Sequence, residues 1–199
     1  MTNKKKPIHD DAPPASAYEI SEEKTKRRFH TLAVVVDNEA GVLARVVGLF
    51  SGRGYNIKSL TVSPVSQHNY LSRITLVTLG NEKTIRQIKA QLERLVPVHE
   101  VHDLTTDGNF MSVEIILIKL LLEGTEDKRK KIIAQIEKKG AMVIKNMARG
   151  MIIEYSGHVA DTEQFIKWAY DLGKIELVRS GVVAISTDMK PSHFMKSDD

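Results

Sequence analysis

At 199 residues, 42% hydrophobic and 27% charged, the chain is long enough for one or two packed domains and too apolar to be disordered throughout. Its 29 Lys and Arg against 25 Asp and Glu leave a net charge of +4, too small to point to nucleic acid without a local patch. Cysteine is absent, which excludes a disulfide scaffold, a thiolate metal site and a Cys nucleophile.

Residues 1–28 have no apolar run of the secretory kind, and Asp10, Asp11, Glu22 and Glu23 argue against a transit peptide. Pro7, Pro13, Pro14 and mixed charge predict a disordered N-terminal arm, and the expected location is cytoplasmic. No stretch reaches the roughly 18 apolar residues of a membrane span. The longest, 115–122, is interrupted by Lys119 and reads as a buried strand.

Folded sequence begins near Phe29. LAVVV (32–36) is a strand, apolar on both faces. After the turn DNEAG, Val42, Leu43, Val46, Val47 and Phe50 recur at helical spacing, and Gly52 and Gly54 stop the helix. Two β-rich runs follow, joined by the polar loop Ser66, Gln67, His68 and Asn69. Asn81 can cap the next helix, with its stripe of Ile85, Ile88, Leu92 and Leu95, and VPVHEVHDL closes the unit as a strand. The order is β-α-β-β-α-β. Residues 105–109 make a polar break and the order restarts. SVEIILIKLLL is a strand, and Thr125 caps a helix carrying Ile132, Ile133 and Ile136. A hairpin turns around Ala148, Arg149 and Gly150. Asp161 and Gln164 resemble a capping box ahead of Phe165, Trp168, Ala169 and Leu172, and IELVRSGVVAIS is read as one last strand. LFSGRGYNI in the first half is echoed by QIEKKGAMVI in the second.

The predicted class is therefore α+β: two tandem ferredoxin-like βαββαβ sandwiches over 29–106 and 110–188, with a tail at 189–199. Units of about 75–80 residues are only modestly stable alone. Each is expected to leave one sheet face and its edges open, so a dimer or larger assembly is the expected state.

A search for chemistry returns little. His99 and His102, three apart on a strand, point to opposite faces. There is no GxSxG elbow, Walker loop or dinucleotide fingerprint. SGRGYN follows a helix and enters a strand, the reverse of the nucleotide-binding order. RNA-recognition modules share this strand order, yet the residues after Tyr55 (Asn56, Ile57, Lys58, Ser59 and Leu60) lack the stacking aromatics, so no nucleic-acid partner is expected. What remains is the first bend, DNEAGVLARV. A helix N-terminus offers unpaired N–H groups and a favourable dipole to a carboxylate, and Gly41 has no side chain to block the approach. Asp37, Asn38 or loop carbonyls could accept from an ammonium group, and Val42 and Leu43 would wall an apolar side-chain pocket. An ordinary turn and helix start is the competing reading of the same residues.

DNEAGVLARVVGLFSGRGYNIKSLTV closely resembles the ACT-domain opening of the acetolactate synthase (acetohydroxyacid synthase) small-subunit family. LSRITLVT, QLERLVPVHEV and LVRSGVVAIS resemble the same family in the same order, so the likeness runs from about residue 29 to 187 and leaves the arm outside. It implies a non-catalytic regulatory subunit, with no cofactor of its own, that activates a large catalytic subunit carrying thiamine diphosphate, Mg²⁺ and FAD. It also implies feedback inhibition by valine or a related branched-chain amino acid, bound between the ACT domains of a homodimer. Carried over, Asn38, Gly41, Val42 and Leu43 form one half of that site, and Asn56 and Ile57 of the partner chain the other. For Asn56 an alternative is that it tolerates an unusual backbone after Gly54. Ala44 stands where some members have Ser, and Ser63 where some have Ala, which leaves fine selectivity open. A free-standing ACT-type amino-acid sensor acting on another partner is the alternative function. The second domain's helix start, GTEDKRKK, lacks the D-N-x-x-G arrangement and receives no effector site.

Overall fold

The strand Phe110–Leu121 alternates strictly between buried and exposed residues, the strand Arg28–Asp37 is apolar on both faces at its centre, and the 3.6-residue stripes make helices that cover the sheets. A computed structural model describes residues 27–66, 70–122 and 124–188. Residues 1–26 of the arm expected over 1–28, the tail at 189–199 and Gln67, His68 and Asn69 of the hairpin loop lie outside the described residues, while Arg28 already opens the first strand. In chain order the elements are β1 (Arg28–Asp37), α1 (Val42–Gly52), β2 (Ile57–Ser66), β3 (Leu71–Gly80), α2 (Glu82–Leu92), β4 (Val98–Asp103), β5 (Phe110–Leu121), α3 (Glu126–Lys138), β6 (Met142–Met147), β7 (Gly150–Gly157), α4 (Val159–Leu172), β8 (Lys174–Arg179) and β9 (Val183–Ser186). The first sheet has the order β2-β3-β1-β4; the second has β6-β7-β5-β8, with β9 also pairing β5. All the pairings are antiparallel. No helix among the described residues is long and apolar enough to cross a membrane.

In the first unit Leu32, Val34, Val36, Ile74 and Leu76 meet Val42, Val46 and Phe50 of α1 and Ile85, Ile88 and Leu92 of α2. Full burial of each such side chain contributes about 1.5–3 kcal/mol. The second core repeats the scheme with Ile116, Ile118 and Leu120 under Ile132, Ile136, Phe165 and Ala169. Asn81 Oδ1 accepts from Thr84 N at 2.8 Å, and Thr125 Oγ1 from Lys128 N at 3.4 Å, so both expected caps form.

The echo between LFSGRGYNI and QIEKKGAMVI has one physical cause. After α1, Gly54 sits at φ 69, Tyr55 N donates to Phe50 O at 2.9 Å and Gly54 N to Ser51 O at 3.2 Å. After α3, Gly140 sits at φ 79, Ala141 N donates to Ile136 O at 3.2 Å and Gly140 N to Glu137 O at 2.9 Å. Both are Schellman endings, which need a left-handed residue that glycine adopts without a Cβ clash. The Phe50 and Tyr55 rings complete the first with an edge-on contact, 6.1 Å between centroids.

Three expectations change. Helix α4 begins at Val159, capped by His158, whose side chain accepts from Ala160 N at 3.4 Å; Asp161 lies in the first turn instead of capping it. The last strand is broken into β8 and β9, because Gly181 and Val182 bulge off β5 after Ser180, whose N still donates to Ile115 O at 2.9 Å. That bulge closes the face of the first sheet that was expected to stay open. Val182 N donates to Ser59 Oγ at 2.8 Å, Thr61 Oγ1 to Val182 O at 3.0 Å and Arg73 Nη2 to Ala184 O at 2.9 Å. Ala33, Val35 and Thr75, which point away from the helices, are buried on this face.

Two positions test this packing. Asp103, buried at the end of β4, accepts from His30 Nδ1 at 2.8 Å, Thr106 Oγ1 at 2.9 Å and Thr105 N at 3.1 Å. Asp103→Ala strands these donors and is expected to cost about 2–4 kcal/mol, read as a lowered urea midpoint with unchanged slope. At Gly150 an added Cβ would collide with the backbone oxygen of Leu120. Gly150→Ala is expected to destabilise by about 3 kcal/mol, because backbone on the neighbouring strand cannot move aside as a side chain can. A midpoint equal to wild type would show that β7 lies further from β5.

Candidate effector site

Two backbone hydrogen bonds anchor the base of the bend between β1 and α1. Asp37 N donates to Pro97 O at 2.9 Å and Asn38 N to Tyr70 O at 2.6 Å. Beyond those anchors residues 38–41 are exposed. Gly41 occupies the N-cap position of α1 at φ 89, and a Cβ there would meet nothing within 4 Å. No side chain caps the helix and its first turn carries no acid. The amides of the first turn and the positive end of the dipole therefore face open space. By contrast, α2 and α3 have side-chain caps and acids in their first turns.

Charges around the bend are already paired. Asp37 Oδ1 lies 2.6 Å from His99 Nε2, and Glu39 Oε1 lies 3.6 Å from Arg45 Nη1. With Asp37 engaged, the Asn38 side chain and the loop carbonyls are the acceptors left for an ammonium group.

Of the residues read from the sequence, Asn38, Gly41, Val42 and Leu43 come together here, but Val42 has a different part. Its side chain is 3% exposed and belongs to the first core, so it offers the bend a backbone N–H and no wall. Leu43, 41% exposed, is the apolar side chain that faces outward. Asn56 and Ile57 lie elsewhere. Thr78 stands opposite both Ile57 and His30, whereas Asp37 ends the other end of β1. At roughly 3.4 Å per strand residue the two groups are about 24 Å apart within one chain. Asn56 is exposed and its carbonyl accepts from Thr78 Oγ1 at 2.7 Å. Its φ is not positive, since Tyr70 is the only non-glycine in that region among the described residues, so the strained-backbone alternative for Asn56 falls away. Sequence reasoning missed Tyr70 and Pro97, whose carbonyls hold the bend; backbone acceptors leave no residue-type signal.

The stripe on α1 is wider than its own core uses. Val42, Val46 and Phe50 are buried while Leu43 and Val47 stay exposed, as do Val62 and Val65 on the edge strand β2.

Two βαββαβ units in tandem, each an antiparallel sheet packed under its own helices, define a tandem ferredoxin-like α+β protein. Residues 32–100 match the family described as AHAS small subunit-like ACT domain, so the first unit is an ACT domain. Residues 113–188 match the family described as Small subunit of acetolactate synthase. The acetolactate synthase isozyme 3 small subunit of Escherichia coli (strain K12) is 38% identical over 156 residues, covering 78% of this chain and 93% of that protein. A probable acetolactate synthase small subunit of Archaeoglobus fulgidus is 36% identical over 156 residues, covering 78% and 95%. The crystal structure of the acetolactate synthase small subunit from Thermotoga maritima aligns with a TM-score of 0.70 at 32% identity, covering 79% of this chain and 96% of that one. The chain belongs to the acetolactate synthase small-subunit family.

Proposed function

We propose that this chain is the regulatory subunit of an acetolactate synthase: it activates a thiamine-diphosphate-dependent catalytic subunit and transmits feedback inhibition by valine or a related branched-chain amino acid. In this reading the chemistry belongs to the catalytic subunit, with its Mg²⁺ and FAD, and this chain contributes recognition only. The observation that carries the reading is the uncapped start of α1 at Gly41, in a member of this family. A free amino acid supplies what that bend lacks: a carboxylate for the first-turn amides and an ammonium group for Asn38 and the loop carbonyls.

The 24 Å gap fits a site completed by a second copy. β2 is an edge strand, and its end, Ser66, stands opposite Leu71, which in turn stands opposite Asp37. Antiparallel pairing of β2 with β2 of a second copy sets the start of one strand beside the end of the other. The partner's first strand residues, preceded by its own Gly54 bend, then arrive next to residues 38–41 of this chain. The exposed Leu43, Val47, Val62 and Val65 would be covered in the same step.

Occupancy can shift the holoenzyme only by as much as the effector prefers one state, and couplings of about 1–3 kcal/mol are usual. An apolar pocket separates Val from Leu or Ile by roughly 1–3 kcal/mol per methylene, so selectivity is set by fit. The test is reconstitution with an acetolactate synthase catalytic subunit, with and without each branched-chain amino acid. Activation together with inhibition by at least one of them is expected. Amino-acid binding without activation would favour a free-standing sensor, and no binding at all would sink the reading.

A further inference from the structure

We infer that Tyr70 is a positioning residue of the effector site: its left-handed backbone holds Asn38 where the ammonium group of an amino acid would be met. Tyr70 has φ 48 and is the only non-glycine residue at positive φ among the described residues. Bulky residues rarely enter that region, and they persist there where the surrounding structure holds them. Packing offers Tyr70 little compensation, since it is 74% exposed. What the conformation does secure is a hydrogen bond. The β1–β3 register runs from Arg28 opposite Gly80 to Asp37 opposite Leu71, and the next pair along is Asn38 with Tyr70. Asn38 N donates to Tyr70 O at 2.6 Å, so the ladder extends one step beyond the strands, at the residue where the chain enters β3.

The bond matters because little else fixes Asn38. Residues 38–41 are exposed, and the other anchor of the bend, Asp37 N to Pro97 O at 2.9 Å, lies one residue back. Asp37 and Glu39, on either side, are engaged with His99 and Arg45. Asn38 is thus the side-chain acceptor left at the bend, and Tyr70 O sets where its backbone stands. An acceptor already in place costs a ligand less ordering than one that must be fixed on binding. Tyr70 also lies where the two halves of the site meet in the two-copy arrangement proposed above. It follows the loop after Ser66, the end of β2 that comes to lie beside the partner's Asn56 and Ile57. A turn that served the hairpin alone would, when disturbed, lower the melting temperature and leave effector affinity as it was.

The inference rests on the effector reading, and calorimetric titration of L-valine, L-leucine and L-isoleucine into the full-length chain keeps the two apart. The variants are Tyr70→Val, whose β-branched side chain resists the left-handed region, and Tyr70→Asn, which enters it readily. For the amino acid that wild type binds best, the dissociation constant is expected to rise about tenfold in Tyr70→Val and to stay within about twofold of wild type in Tyr70→Asn. Added to Asn38→Ala, Tyr70→Val is expected to change affinity little further, since it acts through that residue. Hydrogen exchange at the Asn38 amide is expected to be slow in wild type and faster in Tyr70→Val. Tyr70→Ala, which also resists the left-handed region, serves where the valine variant does not fold. Wild-type affinity in Tyr70→Val overturns this inference alone. Equal losses in Tyr70→Asn and Tyr70→Val also overturn it, assigning the effect to the aromatic side chain, as does a fully additive loss on top of Asn38→Ala. A wild-type chain that binds none of the three amino acids overturns the effector reading and this inference together.

Discussion

Gly41→Asp is expected to abolish valine inhibition of the reconstituted holoenzyme while leaving activation of the catalytic subunit in place. The new carboxylate would sit where nothing lies within 4 Å of a Cβ, at the head of a helix with no capping side chain. It would accept from the first-turn amides itself and repel the effector's carboxylate, so valine affinity is expected to fall about 100-fold or more. The fold should survive, because Asp is among the residues that enter the left-handed region most readily, at a cost of about 1 kcal/mol for φ 89. Gly41→Asn separates the two effects: it occupies the amides without the charge and should lose less affinity. Calorimetric titration of valine into each variant, beside inhibition curves, gives the comparison. Wild-type affinity in Gly41→Asp would move the site away from the bend.

Arg179→Met is expected to destabilise the second domain strongly, by about 3–5 kcal/mol. Glu114, 2% exposed on β5, is held by two bonds from Arg179: Nε to Oε2 at 3.2 Å, and Nη2 to Oε1. Nη1 of the same guanidinium reaches Glu163 at 2.7 Å. The hydrogen bond to Glu114 above all holds the guanidinium pKa above its usual value, against the opposing effect of burial. Removing the cation leaves the buried Glu114 carboxylate without its counter-charge, which costs more than the pair contributes, although the Arg179 side chain is itself 33% exposed. For a chain of this size such a loss lowers the melting temperature by about 10 °C or more. Glu114→Leu together with Arg179→Met should recover most of the loss, since an apolar pair replaces both charges at once. If Arg179→Met melts within about 2 °C of wild type, Glu114 is reached by water and the ion pair is not buried.

The pair also ties the two domains together in sequence. Arg179 is followed, after Ser180, by the Gly181–Val182 bulge that reaches Ser59 and Thr61. Gly181, at φ 82, lies with its would-be Cβ 3.0 Å from both Ser59 Oγ and Thr61 Cγ2, a close approach that only glycine permits. The strand that Ile57 opens, with Asn56 just ahead of it, is thus gripped by the second domain.

Much of the local chemistry is legible in the sequence. The periods of apolar residues placed the helices and strands, Asn81 and Thr125 announced their caps, and the Gly54 and Gly140 endings showed as an echo between the halves. The same reading fails where long-range contact overrides local pattern, and at two local positions. IELVRSGVVAIS has the composition of one strand, and only packing against Ser59, Thr61 and Arg73 breaks it. His158 is an uncommon cap, whereas Asp161, in the first turn, is a more usual residue type for that position. Val42 and Leu43 are neighbours in the stripe, yet a helix turns successive residues by about 100°, which sent one into the core and left the other facing solvent.

The order of elements, the two cores and the bend at Gly41 were decided by the sequence alone, because periodicity, caps and left-handed glycines act within a few residues. Which sheet face is covered, which stripe stays bare, and the separation of Asn38 from Asn56 were decided only by the tertiary structure. Those properties depend on residues up to 123 positions apart, as in the bond from Val182 to Ser59, and no short-range pattern encodes such a meeting.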